Sequence, residues 1–422
     1  MFLYIFLAVF FGLQFLVFIT FRRFVKSKYP DSAFLRIISN YSFIVLNLPM
    51  IYILFKRRLM HMVSDWINSL IFTPYYIFLG AILFIGLYLL IGKLIKLPFS
   101  ISGWILNQFE NTKKMLNNFF SKPPVRKIDN SRRAFLTTAT AFVSGYAFIG
   151  STVGVLDSND YEIVYKDIKI EDLPEEIKGT TVTLISDTHS GPYMDEETLR
   201  KYSKAVNDLN SDIIVIPGDL TNSNRIEVHP FVNAFKSLKA PKGIYASFGN
   251  HDYFSDAEYV AKFVQNDSPI NLLRNNSDII NINGKNLCIM GVEDTRQSRS
   301  NQDTVLMKHL DLTIERTKAK MKEKNLDYNE IPKLTLFHKP YYFEEMAARN
   351  LDLILSGHTH GGQVVLAKLG PVNISFAGAV SKYISGYYES GKTRMYISRG
   401  LGSVALPIRF NCPPEITKIT LI

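Results

Sequence analysis

Cysteine is almost missing from this chain: only Cys288 and Cys412 occur in 422 residues. They could pair in an oxidising compartment, but nothing in the sequence brings them together, and two free thiols are expected. Acidic residues are scarce in one part only. Residues 1–155 hold 17 Lys and Arg against 4 Asp and Glu, so with a whole-chain charge of +10 the rest sits near −3. The basic character therefore lies outside the second part. That weighs against nucleic-acid binding, which needs a basic face on the folded domain. Internal repeats and low-complexity tracts are also lacking.

The first part consists largely of apolar runs. "FLYIFLAVFFGLQFLVFIT" (2–20), a run over about 37–55, "LIFTPYYIFLGAILFIGLYLL" (70–90) and a weaker run over about 134–155 are each close to the length that spans a bilayer as a helix. A signal peptide does not account for the first run, which lacks a basic n-region, nor for the others. Four spans are expected, and they hold almost no ionisable residue, the usual mark of a transport path, so the reading is an anchor. Between the third and fourth runs stand Lys93, Lys96, Lys113, Lys114, Lys122, Arg126, Lys127, Arg132 and Arg133. Positive loops stay cytoplasmic, which puts everything after residue 155 outside; Lys56, Arg57 and Arg58 argue weakly the other way. Within that loop, residues 102–120 mix Trp104, Phe109, Leu116 and Phe120 with lysines. They read equally as a segment lying on the membrane surface or as a plain connector. "SRRAFLTTATAF" (131–142) resembles a twin-arginine export motif, with a simple helix-end anchor as the alternative and a twin-arginine exporter as the implied partner.

From residue 156 the pattern changes. Short apolar runs at 181–186, 212–217, 243–248, 333–337 and 351–356 alternate with helical stretches near 194–209, 229–239 and 255–265. In the first of these, Leu199, Tyr202, Val206 and Leu209 share one face. Such alternation implies βαβ units and a mainly parallel sheet, with further strands at 286–292, 394–400 and 415–422. The expected organisation is a helical transmembrane region over 1–155 and one α/β domain over 156–422, built of mixed, mainly parallel β-sheets flanked by helices.

Each of the five apolar runs is followed by potential metal ligands: Asp187 and His189; Asp219; Asn250, His251 and Asp252; His338; His358 and His360. Ligands of open α/β sheets bind beyond the carboxyl ends of the strands, so these groups should line one edge. Gly357, Gly361 and Gly362 should let the last turn bring both imidazoles into that site. Oxygen and nitrogen donors without thiolate suit Mn, Fe or Zn rather than a structural thiolate zinc. Two such ions would clamp a phosphoryl displacement. Arg296, Arg399 and Arg409 could each take a phosphate oxygen, against the blander reading of salt-bridged surface arginines. His61, His229 and His309 stand outside the series.

The ordered series D-x-H, GD, GNHD, H and GH-x-H across 180–363 closely resembles the calcineurin-like metallophosphoesterases. The tail "YISRGLGS…PIRFNCPPEITKITLI" is similar to their membrane-associated bacterial YkuE-type branch; Thr188 departs from that pattern, where an aliphatic residue is commoner. The resemblance implies two divalent metal ions. Asp187, His189 and His360 would hold one, Asn250, His338 and His358 the other, and Asp219 would bridge them. It also implies that His251 serves the leaving oxygen, that Asp252 orients His251, and that a metal-bridging hydroxide attacks phosphorus in line. The expected function is hydrolysis of phosphoester or diphosphate bonds at the outer side of the cytoplasmic membrane, on lipid-linked or envelope substrates. The contrasting class is a catalytically silent scaffold of the same fold that binds a partner protein.

Overall fold

The computed structural model describes residues 2–56, 63–295, 299–369, 372–375, 377–379 and 381–422. The chain divides into two compact units, one ending at Val155 and the other running from Leu156 to Ile422.

The first unit is helical: α1 (Phe2–Lys28), α2 (Ala33–Leu46), α3 (Leu48–Lys56), the short α4 (Asp65–Ile67), α5 (Thr73–Leu106), α6 (Glu110–Ser121) and α7 (Pro123–Leu156). Four stretches are long and apolar enough to cross a membrane, over Leu7–Lys28, Ala33–Ile53, Asn68–Leu106 and Pro123–Leu156. Tyr75, Tyr76, Leu79, Ile82 and Ile85 of α5 are buried, and α1 approaches so closely that a Cβ at Gly86 would lie 2.9 Å from Leu13 Cβ. A small residue at such a crossing lets helix backbones meet. Gln14 of α1 and Asn47, the C-cap of α2, exchange amide hydrogen bonds of 2.9 and 3.2 Å. The stretch 102–120 is divided between two helices, α5 ending at Leu106 and α6 starting at Glu110, and α6 buries none of its residues.

The second unit is an α/β/β/α sandwich. Its strands are β1 (Glu162–Ile168), β2 (Thr181–Leu184), β3 (Ile213–Pro217), β4 (Ile244–Ser247), β5 (Ile270–Leu272), β6 (Asn276–Ile282), β7 (Lys285–Val292), β8 (Lys333–Phe337), β9 (Leu353–Ser356), β10 (Val365–Leu369), β11 (Val372–Ser375), β12 (Gly386–Ser390), β13 (Thr393–Ile397) and β14 (Glu415–Leu421). Its helices are α8 (Glu196–Asp208), α9 (Val228–Phe235), α10 (Asn250–Phe254), α11 (Ala257–Asp267), α12 (Arg299–Glu323) and α13 (Phe343–Ala347). The expected mixed, mainly parallel β-sheets flanked by helices are present. There are two six-stranded sheets, ordered β1-β14-β2-β3-β4-β5 and β12-β13-β9-β8-β7-β6, plus the hairpin β10-β11. Both large sheets are mixed and mostly parallel, with antiparallel pairs only at β14–β2, β12–β13 and β6–β7.

Alternation along the strands builds the layers. Val182, Leu184, Ile213 and Val215 of the first sheet meet Leu287, Ile289, Leu334, Leu336, Leu353 and Leu355 of the second in a hydrophobic middle layer. The opposite face of the first sheet, with Ile214, Ile216 and Ala246, packs on α8, α9 and α11. Met290, Phe337, Ile354 and Met395 face α12 and α13 on the other side. α8 starts where Asp195 caps it, accepting the Thr198 N–H at 2.8 Å, and buries Leu199, Tyr202 and Val206 on the expected stripe. Because β2, β3, β4, β8 and β9 are all parallel within their sheets, the carboxyl ends of both sheets deliver their following turns to one place.

Candidate metal centre

Those turns gather Asp187, His189, Asp219, His251, His338, His358 and His360. Ring nitrogens and carboxylate oxygens form three overlapping groups, each with all its ligand atoms within 4.8 Å of one another: Asp187, His189 and His360; His189, Asp219 and His251; Asp219, His338 and His358. His251 thus stands within ligating reach of His189 and Asp219, with its ring edge-on to His189 at 4.6 Å between centroids. Asn250 opens α10, next in sequence to His251, and its buried Oδ1 has no hydrogen-bond partner among the described residues.

Local backbone conformation aims these groups. Asp187, His189, Asp219, His358 and His360 all adopt positive φ, between 43° and 71°. Left-handed conformations of non-glycine residues are costly and collect at functional sites; Asp and His are among the types that tolerate them best. Gly357 answers a different need. Its φ is not positive, but a Cβ there would overlap the Asp187 carboxylate and the Ser186 hydroxyl. Its role is room rather than the flexibility expected of it; Gly361 and Gly362, at φ 61° and 88°, do supply the turn.

Outer contacts fix which nitrogen faces inward. Backbone carbonyls only accept, so His338 donates through Nδ1 to the Pro217 oxygen at 2.8 Å, and His360 through Nδ1 to the Gly402 oxygen at 3.1 Å. That leaves both Nε2 atoms turned inward. His360 Nε2 lies 3.1 Å from His189 Nε2, and His338 Nε2 lies 3.2 Å from His358 Nδ1 and 3.1 Å from Asp219 Oδ2. Both Asp187 oxygens accept the His358 N–H at 3.0 Å, and Asp219 Oδ1 accepts that of His251 at 2.8 Å. Facing lone pairs in a buried pocket repel one another unless a proton or a cation lies between them. Together with the orphaned Asn250 oxygen and an all-oxygen-and-nitrogen donor set, this arrangement suits divalent metal ions.

The titration behaviour of the bare side chains says the same. Burial, reinforced by neighbouring histidines, holds His189 and His358 well below the usual imidazole range, and burial lowers His360 to about 4. These rings are neutral, as ligands must be. His338 behaves oppositely: burial opposes its charge, but Asp219 outweighs burial and raises it to about 10. Burial would raise Asp219, yet His338 and His251 hold it well below the carboxylate range. Without metal, the imidazolium of His338 supplies the positive charge that this buried carboxylate needs. Burial and the nearby Asp219 push Asp252 up to about 7.

The expected pairing of Asp252 with His251 is not present. Asp252 Oδ1 accepts the Thr221 N–H at 3.0 Å and its hydroxyl at 3.1 Å, and Oδ2 accepts the Gly249 N–H at 2.9 Å. At the third position of α10 the carboxylate turns back on its own helix start, where the unsatisfied N–H groups are. His251 instead donates through Nδ1 to the carbonyl of Asn222. That partner is a backbone atom, which no side-chain pattern announces.

The arginines are engaged in the fold. Arg399 pairs with Glu415 and, at 2.9 Å, with Glu162. Arg409 is buried and donates to the carbonyls of Cys412, Arg399, Gly400 and Gly402. Arg296 and His61 lie outside the described residues. His229 contacts Tyr259 and His309 contacts the Glu293 carbonyl. Thr188 is buried and donates its hydroxyl to the Leu220 carbonyl at 2.8 Å, a bond that an aliphatic side chain could not make. Cys288 and Cys412 are both buried thiols, and that of Cys412 donates to the His360 carbonyl at 3.2 Å. One feature sequence reasoning missed is the buried ion pair of Lys339, next to His338, with Asp294 at 2.7 Å.

Comparison with known proteins agrees with this geometry. Residues 180–362 match the family of calcineurin-like phosphoesterases. An uncharacterized metallophosphoesterase of Bacillus subtilis, YkuE, is 28% identical over 298 residues, covering 69% of this chain and 97% of that protein. An uncharacterized metallophosphoesterase of Helicobacter pylori is 29% identical over 60% of this chain and 62% of its own length. A transmembrane protein with metallophosphoesterase domain from Danio rerio is 29% identical over 62% of this chain and 57% of its own length. The chain therefore spans nearly all of the Bacillus protein but under two thirds of the other two. Apart from the four apolar membrane-length helices, residues 180–362 form a calcineurin-like phosphoesterase domain, and its cluster of donors together with these relatives supports a metal-dependent hydrolase of the binuclear metallophosphoesterase class.

Proposed function

We propose that this protein hydrolyses phosphoester or diphosphate bonds of a lipid-linked or envelope substrate at the outer side of the cytoplasmic membrane. The observation that carries the reading is the meeting of five strand ends, far apart in sequence, in one buried cluster of Asp and His. Asp187, His189 and His360 would hold one ion, Asn250, His338 and His358 the second, and Asp219 both. When bound, two such ions activate water for in-line attack on phosphorus and neutralise the phosphoryl oxygens.

The protein's own groups do the rest. The Pro217 and Gly402 carbonyls keep the inward nitrogens of His338 and His360 free of protons once metal is loaded. With Nδ1 held by the Asn222 carbonyl, His251 can carry a second proton only on Nε2. As the attacking water bonds to phosphorus, the bond to the leaving oxygen breaks and its electron pair goes to that oxygen, which takes the Nε2 proton. The water releases a proton to solvent, and the imidazole regains one from solvent. Arg399 and Arg409 are given no substrate contact, because Arg399 pairs with Glu162 and Glu415 and the buried Arg409 donates to backbone carbonyls.

The outward placement rests on the basic loop between the third and fourth spans and on an even number of spans. Arg132 and Arg133 suit export through a twin-arginine exporter. A cysteine placed at exposed Lys201, in intact cells, tests the orientation, since both native thiols are buried. Labelling by a membrane-impermeant maleimide supports the outer face; labelling only after lysis overturns it. Full-length protein in liposomes should cleave a lipid-linked diphosphate faster than a soluble aryl phosphoester. Equal rates would remove the lipid-linked part of the reading.

A further inference from the structure

The contact that orients His251 is itself held by an unusual arrangement. The Oε2 atom of Glu227 accepts three successive backbone N–H groups, from Asn222 at 3.1 Å, Ser223 at 2.7 Å and Asn224 at 2.9 Å. A capping box for the short helical turn Arg225–Glu227 needs only the last of these; Asn224 completes that box through its own side chain. The other two bonds reach back to residue 222. Consecutive N–H groups converging on one point form an anion cradle, and here a carboxylate of the same chain fills it.

The neighbouring strand end closes around it. Asn222 N–H also reaches the Ser190 carbonyl at 3.1 Å, and the Ser190 hydroxyl donates to the Glu227 carbonyl at 2.7 Å. A Cβ at Gly191 would come within 3.0 Å of Glu227 Oε1 and 3.1 Å of Asn222 Cβ, so the loop after His189 lies directly on the pair. On the other side, Asp252 fixes Thr221 through its N–H and hydroxyl. The peptide that presents the Asn222 carbonyl to His251 is thus clamped before and after by a carboxylate.

We infer that Glu227 is a positioning residue for the leaving-group proton: it fixes the Asn222 carbonyl, which fixes the tautomer and direction of His251. The inference rests on the reading of His251 as the proton donor. A simple capping role would affect only the stability of the loop. Positioning makes Glu227 matter in proportion to how much the leaving oxygen needs a proton. Charge-assisted bonds are roughly twice as strong as neutral ones, so Glu227→Gln, which keeps the shape, weakens the clamp without emptying it.

The test uses full-length, metal-loaded protein and two esters of the same phosphate, one with 4-nitrophenol and one with an alkyl alcohol as leaving group. The nitrophenolate departs without a proton; the alkoxide does not. His251→Ala should lose about 100-fold in kcat on the alkyl ester, within the range of general-acid contributions, and little on the nitrophenyl ester. Glu227→Gln should follow the same pattern at about tenfold, with KM and metal content unchanged, and Glu227→Ala should exceed it. Imidazole ¹⁵N shifts should show one Nδ1–H tautomer of His251 in the wild type and a mixture in Glu227→Ala. If His251→Ala discriminates between the esters while both Glu227 variants lose equally on the two, or lose nothing, the positioning role is overturned. If His251→Ala loses metal or treats both esters alike, the donor reading fails first, and the inference with it.

Discussion

Gly357→Ala isolates what the close-packed turn after β9 does for the site. The φ of Gly357 lies outside the left-handed range that favours glycine, so the dominant effect comes from one methyl group placed where the Asp187 carboxylate and Ser186 hydroxyl now lie. Overpacking of this kind costs about 1–3 kcal/mol. At about 2–4 °C per kcal/mol for a domain of this size, the unfolding temperature should fall by about 2–12 °C. The functional effect should be larger than the thermal one. Asp187 takes the His358 N–H on both oxygens, so a displaced carboxylate misplaces His358 as well as itself. Metal affinity should fall by about 10–100-fold, the usual result of disturbing the support of a ligand. Gly284→Ala is the matched control: φ is +92° and nothing lies within 4 Å of the added carbon. That variant should lose about 1–2 kcal/mol through backbone strain alone and keep full activity. The assay is thermal unfolding, metal titration and ester hydrolysis on each full-length variant. Wild-type metal affinity and turnover in Gly357→Ala would refute the steric argument.

Other consequences are equally open to measurement. Lys339→Ala, which leaves buried Asp294 without its partner, should destabilise the domain by about 3–5 kcal/mol, whereas replacing both by apolar residues should cost far less; chemical denaturation of the single and double variants decides it. In metal-stripped protein, His189, His358 and His360 have native pKa values below the unfolded value near 6.5, so the unfolded chain binds more protons and stability should fall as pH drops from about 6.5 towards 4. His338 has the opposite sign: its contribution is full below about 6.5 and is lost as pH rises through about 10. The stripped protein should therefore melt highest near pH 6.5, and metal, which needs His338 deprotonated, should abolish the alkaline decline; a flat profile would contradict the assignments. Within the helical unit, Asn47→Ala should cost about 0.6–1.7 kcal/mol by breaking the exchange with Gln14, read from unfolding in detergent.

What the sequence made legible follows from what repeats locally. Strand runs such as 333–337 and the Leu199/Tyr202/Val206 stripe are periodic, and each fell where its pattern put it. The ligand types after each run were equally visible, because a chemistry of hard donors needs those side chains. Which strand joins which sheet was not visible, since strands buried on both faces read alike whichever sheet they join. β14 shows why: it lies parallel to β1 and antiparallel to β2, a choice made by packing over more than 200 residues of separation. α10 is only five residues long and carries no periodicity to detect. Asp252 suggested a partner for His251 by adjacency, but the first turn of a helix offers a carboxylate nearer N–H groups, and a backbone carbonyl took the imidazole. Arg399 and Arg409 could not be separated from substrate-binding arginines until Glu162, Glu415 and four carbonyls were seen around them.

The central claim is that one buried cluster of Asp, His and Asn side chains binds two ions and hydrolyses phosphoesters. Its most direct test is metal content and turnover measured on the same full-length sample, supplied in turn with Mn, Fe and Zn, for the wild type and Asn250→Ala. The account predicts close to two ions per chain with metal-dependent hydrolysis, and about one ion with lost turnover in the variant, whose orphaned buried oxygen has been removed. Folded wild-type protein that binds no metal and turns over no ester would contradict it.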